Sequence, residues 1–202
     1  AMNLGASSRK GYDREFTRLI EAGHSTVCYD GQNFFDTDHA EGESGTQSNY
    51  LASGYALALD KVKILVSQMR QYKSDTGEFV WVNPTHIMVP TGLEFLAKEL
   101  FDPTYVNVTT DPSKAVAKGL LKVIVNPYLA NAGTVANSAY YLLDLSAGVK
   151  PFIFQDREAM KFVSMAQDDD IESFMRKTHY YSAEARFAFG YGDWRFALKA
   201  QG

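Results

Sequence analysis

The chain has 202 residues, enough for one or two domains and for a substantial core without covalent staples. With 46% apolar and 22% charged residues it is not a disordered chain, and its net charge of −4, with lysines and arginines scattered, argues against a tight electrostatic grip on nucleic acid. The single cysteine, Cys28, excludes an internal disulfide and any multi-cysteine metal site, and no apolar run approaches the ~18 residues of a membrane span. No secretory pattern stands at the N-terminus, where Ala1-Met2 reads as a tag scar.

In chain order, Tyr12, Phe16, Leu19 and Ile20 fall on one face and predict a helix over 12–22, with Gly23 as a left-handed terminator. Residues 24–47 form a polar loop anchored only by Val27–Tyr29 and Phe34-Phe35; a loop this long tends to be functional. Leu51, Tyr55, Ala58, Val62, Leu65, Met69 and Tyr72 recur at four and three, predicting one long helix over 49–73, capped by Ser48 or Asn49. Phe79–Val82 and Ile87–Val89 read as strands. Thr91 to Glu94 reads as a capping box that opens a helix stopped at Asp102-Pro103. After a loop over 102–119, Leu120–Val125 reads as a strand covered on both faces, and Tyr140–Leu145 as another. Pro151–Phe154 and Lys161–Met165 read as separate strands, with a turn at Asp168–Asp170. From His179 to Phe189 the pattern has period two, as it has again at Trp194, Phe196 and Leu198.

Candidate chemistry is sparse. Asp36, Asp38 and His39, with His24, Cys28 and Asp30 upstream, could hold a divalent metal on a loop, and a metal-dependent hydrolase would use such a set. The competing reading is that Asp and Thr side chains bond backbone groups in a turn-rich loop. Cys28 could act as a nucleophile beside His24 or His39, but a cysteine between Val27 and Tyr29 is more often a packed small residue. His86 reads as strand punctuation and His179 as a buried, bonded residue. No phosphate loop, dinucleotide fingerprint or nucleophile elbow occurs, and Gly190-Tyr191-Gly192 fits turn geometry. The expectation is therefore no catalytic residue, no metal and no cofactor.

Several stretches resemble one family in order along the chain. They are Cys28-Tyr29-Asp30-Gly31-Gln32-Asn33-Phe34-Phe35-Asp36-Thr37-Asp38-His39, Asn126-Pro127-Tyr128-Leu129, Tyr141-Leu142-Leu143-Asp144 and Lys150-Pro151-Phe152-Ile153-Phe154-Gln155-Asp156-Arg157-Glu158. Phe162-Val163-Ser164, Phe174-Met175-Arg176-Lys177, Ala185-Arg186 and Gly190-Tyr191-Gly192-Asp193-Trp194 continue the series. Together they resemble the Mu-like phage major head subunit family, with Ala40 departing where proline would be expected after His39. The resemblance implies an α+β chain of the Hong Kong 97 type. Residues 1–23 would be an N-terminal remnant with the end of the spine helix, 24–150 the axial domain, and 151–202 strands returning to the peripheral domain; the N-terminal arm and extended loop would be lacking. It implies a structural, non-enzymatic subunit that forms hexamers and pentamers of an icosahedral shell around packaged DNA. Its partners would be copies of itself, and scaffold, protease and portal during assembly, with no specific nucleic-acid binding and no membrane. Its location would be the virion capsid, after assembly in the host bacterial cytoplasm. A nanocompartment shell shares that fold and stands, with the hydrolase, as an alternative.

Overall fold

The computed structural model describes residues 2–104, 117–129, 139–165 and 171–202. The turn expected at Asp168–Asp170 and most of the loop expected over 102–119 lie outside the described residues. The elements run α1 (Met2–Ala22), β1 (Tyr50–Leu51), α2 (Leu59–Met69), β2 (His86–Val89), α3 (Glu94–Phe101), β3 (Lys122–Val125), β4 (Ala139–Leu143), β5 (Phe152–Met165), α4 (Ile171–Arg176), β6 (Tyr180–Tyr191) and β7 (Ala197–Gln201). The larger sheet mixes parallel and antiparallel pairs and a second sheet is a two-stranded pair, so the class is α+β. Two compact units result: residues 1–19 with 153–190, and residues 20–152 with 191–202. These boundaries differ from the 1–23, 24–150 and 151–202 expectation, because the last strand joins the sheet of the larger unit.

That sheet has the order β1-β7-β4-β2-β3. β1 pairs with β7 and β2 with β3 in parallel, while β4 is antiparallel to both β2 and β7. Register sorts the side chains. Leu142 lies opposite Leu198 and Ile87, and Tyr140 opposite Ala200, on one face. Tyr141 lies opposite Lys199 and Met88 on the other. All five β4 residues are buried, as a central strand covered on both sides must be. Phe35 packs on Tyr141 at 5.5 Å, which puts the 24–49 loop over the second face. The first face lies toward α2, whose Asp60 is within electrostatic reach of Tyr140.

Several sequence expectations are corrected. The long helix over 49–73 is only α2: Tyr50-Leu51 is recruited as a strand on β7, Gly54 turns the chain at φ +79°, and Ala58 is extended. The apolar seam at Leu51 and Tyr55 is therefore sheet and loop packing that happens to match helical spacing. Phe79–Val82 forms no strand; Val80 donates to the Tyr72 carbonyl, and beyond a lone bridge from Lys73 to Phe79 no ladder forms. Thr91 makes no side-chain cap, since Thr91–Leu93 is a 3-10 turn leading into α3. β3 is an edge strand with Lys122 exposed, not one covered on both faces. Trp194–Phe196 is a 3-10 turn, and only Ala197–Gln201 is strand.

Gly23 lacks the left-handed backbone expected of it; a Cβ there would meet the Phe35 ring at 2.7 Å, and Phe35 donates to its carbonyl. Close approach, not φ, requires this glycine. Gly42 does have positive φ (+50°), and a Cβ there would stand 2.3 Å from the Asp75 carbonyl oxygen, the same oxygen that accepts from Glu43 N–H.

In the smaller unit, α1 begins at Met2, ten residues before the apolar pattern that starts at Tyr12. Tyr12 meets Phe154 and Phe187, and Phe16 meets Phe189. The two strands expected at 151–154 and 161–165 are one continuous strand, β5, paired with β6 in a separate two-stranded sheet. His179 is exposed rather than buried.

Candidate functional site

The polar 24–49 loop is fastened by a buried network that reaches the C-terminal turn. Asn49 is fully buried. Its amide nitrogen donates to the carbonyls of Phe34 (2.7 Å), Trp194 (3.3 Å) and Ala197 (3.2 Å). Its amide oxygen accepts from Asp36 N–H at 2.9 Å and faces His39 Nε2 at 3.2 Å. His39 Nδ1 meets Asp30 Oδ2 at 2.5 Å, and the imidazole stacks on Trp194 at 4.0 Å between centroids. Beside this, the Arg195 guanidinium donates to the Lys73 carbonyl, to Tyr29 Oη and to Glu41 Oε2 at 2.9, 2.6 and 2.7 Å. Burial opposes the Arg195 charge, but Glu41, Asp193 and Tyr29 outweigh it and hold its pKa above the usual value. A nearly buried cation supplied with acceptors on every side is a clamp rather than a reactive group.

The candidate metal set is pulled apart by these same bonds. Asp38 is exposed while His39 is buried. Both ring nitrogens of His39 face oxygens, of Asp30 and Asn49, so neither is open to a metal. Asp36 accepts from Thr37 N–H and Asn33 Nδ2; although burial pushes its pKa up, these bonds bring it below the usual carboxylate range. Among the described residues no group of three or more His, Cys, Asp or Glu is placed to hold a metal. Burial raises the Cys28 thiol, the opposite of what a nucleophile needs. The turn-rich loop reading is the one these bonds support, and the hydrolase alternative has no support.

A second buried cluster lies on the second face of the sheet. Register sets Lys199 between Tyr50 and Tyr141, with its ammonium 5.5 and 5.8 Å from the two ring centroids and in contact with His24 Nε2. Burial, with the Lys199 charge second, lowers the His24 pKa from 6.5 to about 4; burial lowers Lys199 from 10.5 to about 8, against the attraction of Glu21. Both groups bind protons more readily unfolded than folded, so each makes stability rise with pH across its own window. For His24 the loss begins as pH falls through 6.5 and is complete below about 4. Because the ring is only partly buried, the loss is about 1–2 kcal/mol after allowing for solvent screening. Urea unfolding at pH 7 and pH 4.5 is expected to show this drop, and His24→Phe to reduce it; an unchanged slope in the variant would refute the assignment.

Large apolar side chains also remain exposed. In the larger unit Trp81 is 95% exposed, Phe95 82% and Phe79 58%; in the smaller unit Phe174 and Met175 stand out. Exposed aromatics of this number mark contact surfaces rather than chemistry. The sequence reading did not single out Trp81, and alternation with buried Val82 is the only signal that could have flagged it.

The described residues present buried loop clamps and exposed aromatic faces, and no group of three or more His, Cys, Asp or Glu among them is placed to hold a metal. The family model of the Mu-like prophage major head subunit gpT matches residues 1–58, 50–129 and 130–202, so the chain belongs to that family. It is 23% identical over 199 residues to the Mu-like prophage FluMu major head subunit of Haemophilus influenzae, and equally to the major capsid protein of Escherichia phage Mu. Each alignment covers 98% of this chain and 42% of the relative, so the chain spans under half of their length. Among solved structures, the procapsid of bacteriophage JBD30 aligns with a TM-score of 0.47 and 24% identity over 99% of this chain and 43% of that one. The satellite phage P4 procapsid aligns with a TM-score of 0.43 and 11% identity over 90% and 49%. The family membership gives the nanocompartment alternative no support.

Proposed function

We propose that this chain is the shell-forming region of a phage or prophage head subunit, whose copies assemble into hexameric and pentameric capsomers of an icosahedral shell around packaged DNA. The family match along essentially the whole chain is the observation that carries the reading. The exposed aromatics supply the apolar contacts that a self-assembling tile needs. The fold would be of the Hong Kong 97 type. Residues 20–152 with 191–202 would make the axial domain, and residues 1–19 with 153–190 part of the peripheral domain. This moves the C-terminal strand from the peripheral to the axial assignment, because β7 lies between β1 and β4 in the larger sheet. The subunit catalyses nothing; scaffold, protease and portal join it during assembly in the host cytoplasm, and its final place is the virion. No helix among the described residues is long and apolar enough to cross a membrane.

Electron microscopy tests the reading. Expressed at the full length of its family together with scaffold and protease, the protein is expected to yield shells or free capsomers. Stable monomers or amorphous aggregate alone would overturn it.

A further inference from the structure

Two exposed aromatic patches in the larger unit carry side chains of opposite charge. The first is a groove of about 480 Å3 lined by Arg70, Phe79, Val80, Trp81, Val82 and Asn83. Trp81 stands almost fully in solvent, yet its backbone is bolted down on both sides. Val80 N–H donates to the Tyr72 carbonyl at 2.8 Å, Val82 is buried, and Asn83 N–H donates to Asp144 Oδ2 at 2.7 Å. A rigidly presented aromatic loses little freedom on being covered, which is the character of a binding anchor. Arg70 is the groove's one charged lining residue; it donates to Asn83 Oδ1 at 2.9 Å and makes no ion pair among the described residues.

The second patch is the outer face of α3. Ala97, Leu100 and Phe101 turn inward, while Phe95 and Leu96 are exposed. Glu99 follows Phe95 by four positions and Leu96 by three, so the exposed face carries a carboxylate beside its apolar pair. An aromatic groove with a cation thus finds its counterpart in a helix face with an apolar pair and an anion. The two patches flank β2 from opposite ends, Trp81 before His86 and Phe95 after Val89. A contact between them joins unlike surfaces of two copies, and such head-to-tail contacts generate rings when the rotation closes.

We propose that the Phe79–Trp81 groove of one copy receives the Phe95–Leu96 face of α3 from a second copy, with Arg70 facing Glu99. The proposal rests on the capsid reading and names the surface through which neighbouring subunits meet.

Sedimentation velocity of the 202-residue chain between about 0.01 and 1 mM tests it, in the range where a single small contact becomes populated. The wild-type chain is expected to gain mass with concentration, and Trp81→Ser to weaken association by about tenfold or more. Arg70→Glu and Glu99→Arg, each alone, are expected to stay monomeric. Mixed in equal amounts they are expected to associate in alternation, because each groove then meets a helix face of opposite charge on the other variant. Circular dichroism confirms that these surface variants fold. A wild-type chain that stays monomeric throughout, a mixture that does not associate, or a Trp81→Ser chain that associates as before would each overturn the contact. If the full-length protein forms shells while any of those results holds, the contact is wrong and the capsid reading stands. If it forms neither shells nor capsomers, the capsid reading itself has failed.

Discussion

Trp194→Ala is expected to cost about 3–5 kcal/mol of folding stability, the range for deleting a large buried aromatic. Trp194 is wholly buried, and three partners use it at once. His39 stacks on it within 8° of parallel, Tyr72 meets it edge-on at 5.4 Å, and the Arg195 guanidinium lies 4.7 Å from its ring centre. Removing the indole therefore opens a cavity between the 24–49 loop, the end of α2 and the start of β7. Among the described residues the indole N–H has no hydrogen-bond partner, so the loss is one of packing and not of polar pairing. Trp194→Phe should accordingly be milder, because it keeps most of the ring and removes an unsatisfied donor. Against a total stability of about 5–15 kcal/mol, the alanine variant should show a clear shift of its urea midpoint. A loss below about 1 kcal/mol would mean that the loop is not anchored through this residue.

Local periodicity carried the elements that are held by local packing. β2, β4 and β6 emerge where apolar runs or strict alternation predict them, since cross-strand neighbours bury the same face that the pattern marks. It failed where distant residues decide. Spacing at four and three places Leu51 and Tyr55 on a helix, but Tyr50-Leu51 pairs with a strand almost 150 residues later in the chain, and backbone pairing there outweighs helical propensity. Likewise, Asp36, Asp38 and His39 are adjacent in sequence yet diverge, because Asn49 and Asp30 draw His39 inward and leave Asp38 in solvent. Arg195 reads as an outward-facing strand residue; its acceptors come from Tyr29, Glu41 and Lys73, far away in the sequence. The order of family motifs pointed to the family, but not to which side chains hold the loop shut or stand exposed.

The second large effect is expected at Asn49, and the choice of replacement separates polar pairing from size. Asn49→Leu keeps the volume but strands the Asp36 N–H, one side of His39 and the carbonyls of Phe34, Trp194 and Ala197. Backbone partners elsewhere relieve some of these carbonyls, so the cost is about 2–4 kcal/mol rather than the full sum of desolvation penalties. Asn49→Asp keeps shape and the two acceptor bonds, yet it turns three donor–acceptor contacts into oxygen facing oxygen and buries a new charge. It is therefore expected to be at least as damaging as leucine despite being nearly isosteric. Urea unfolding of both variants checks this ordering. If aspartate were tolerated and leucine were not, volume and acceptor capacity alone would explain the site, and the three donated bonds would not be what holds the loop to the C-terminal turn.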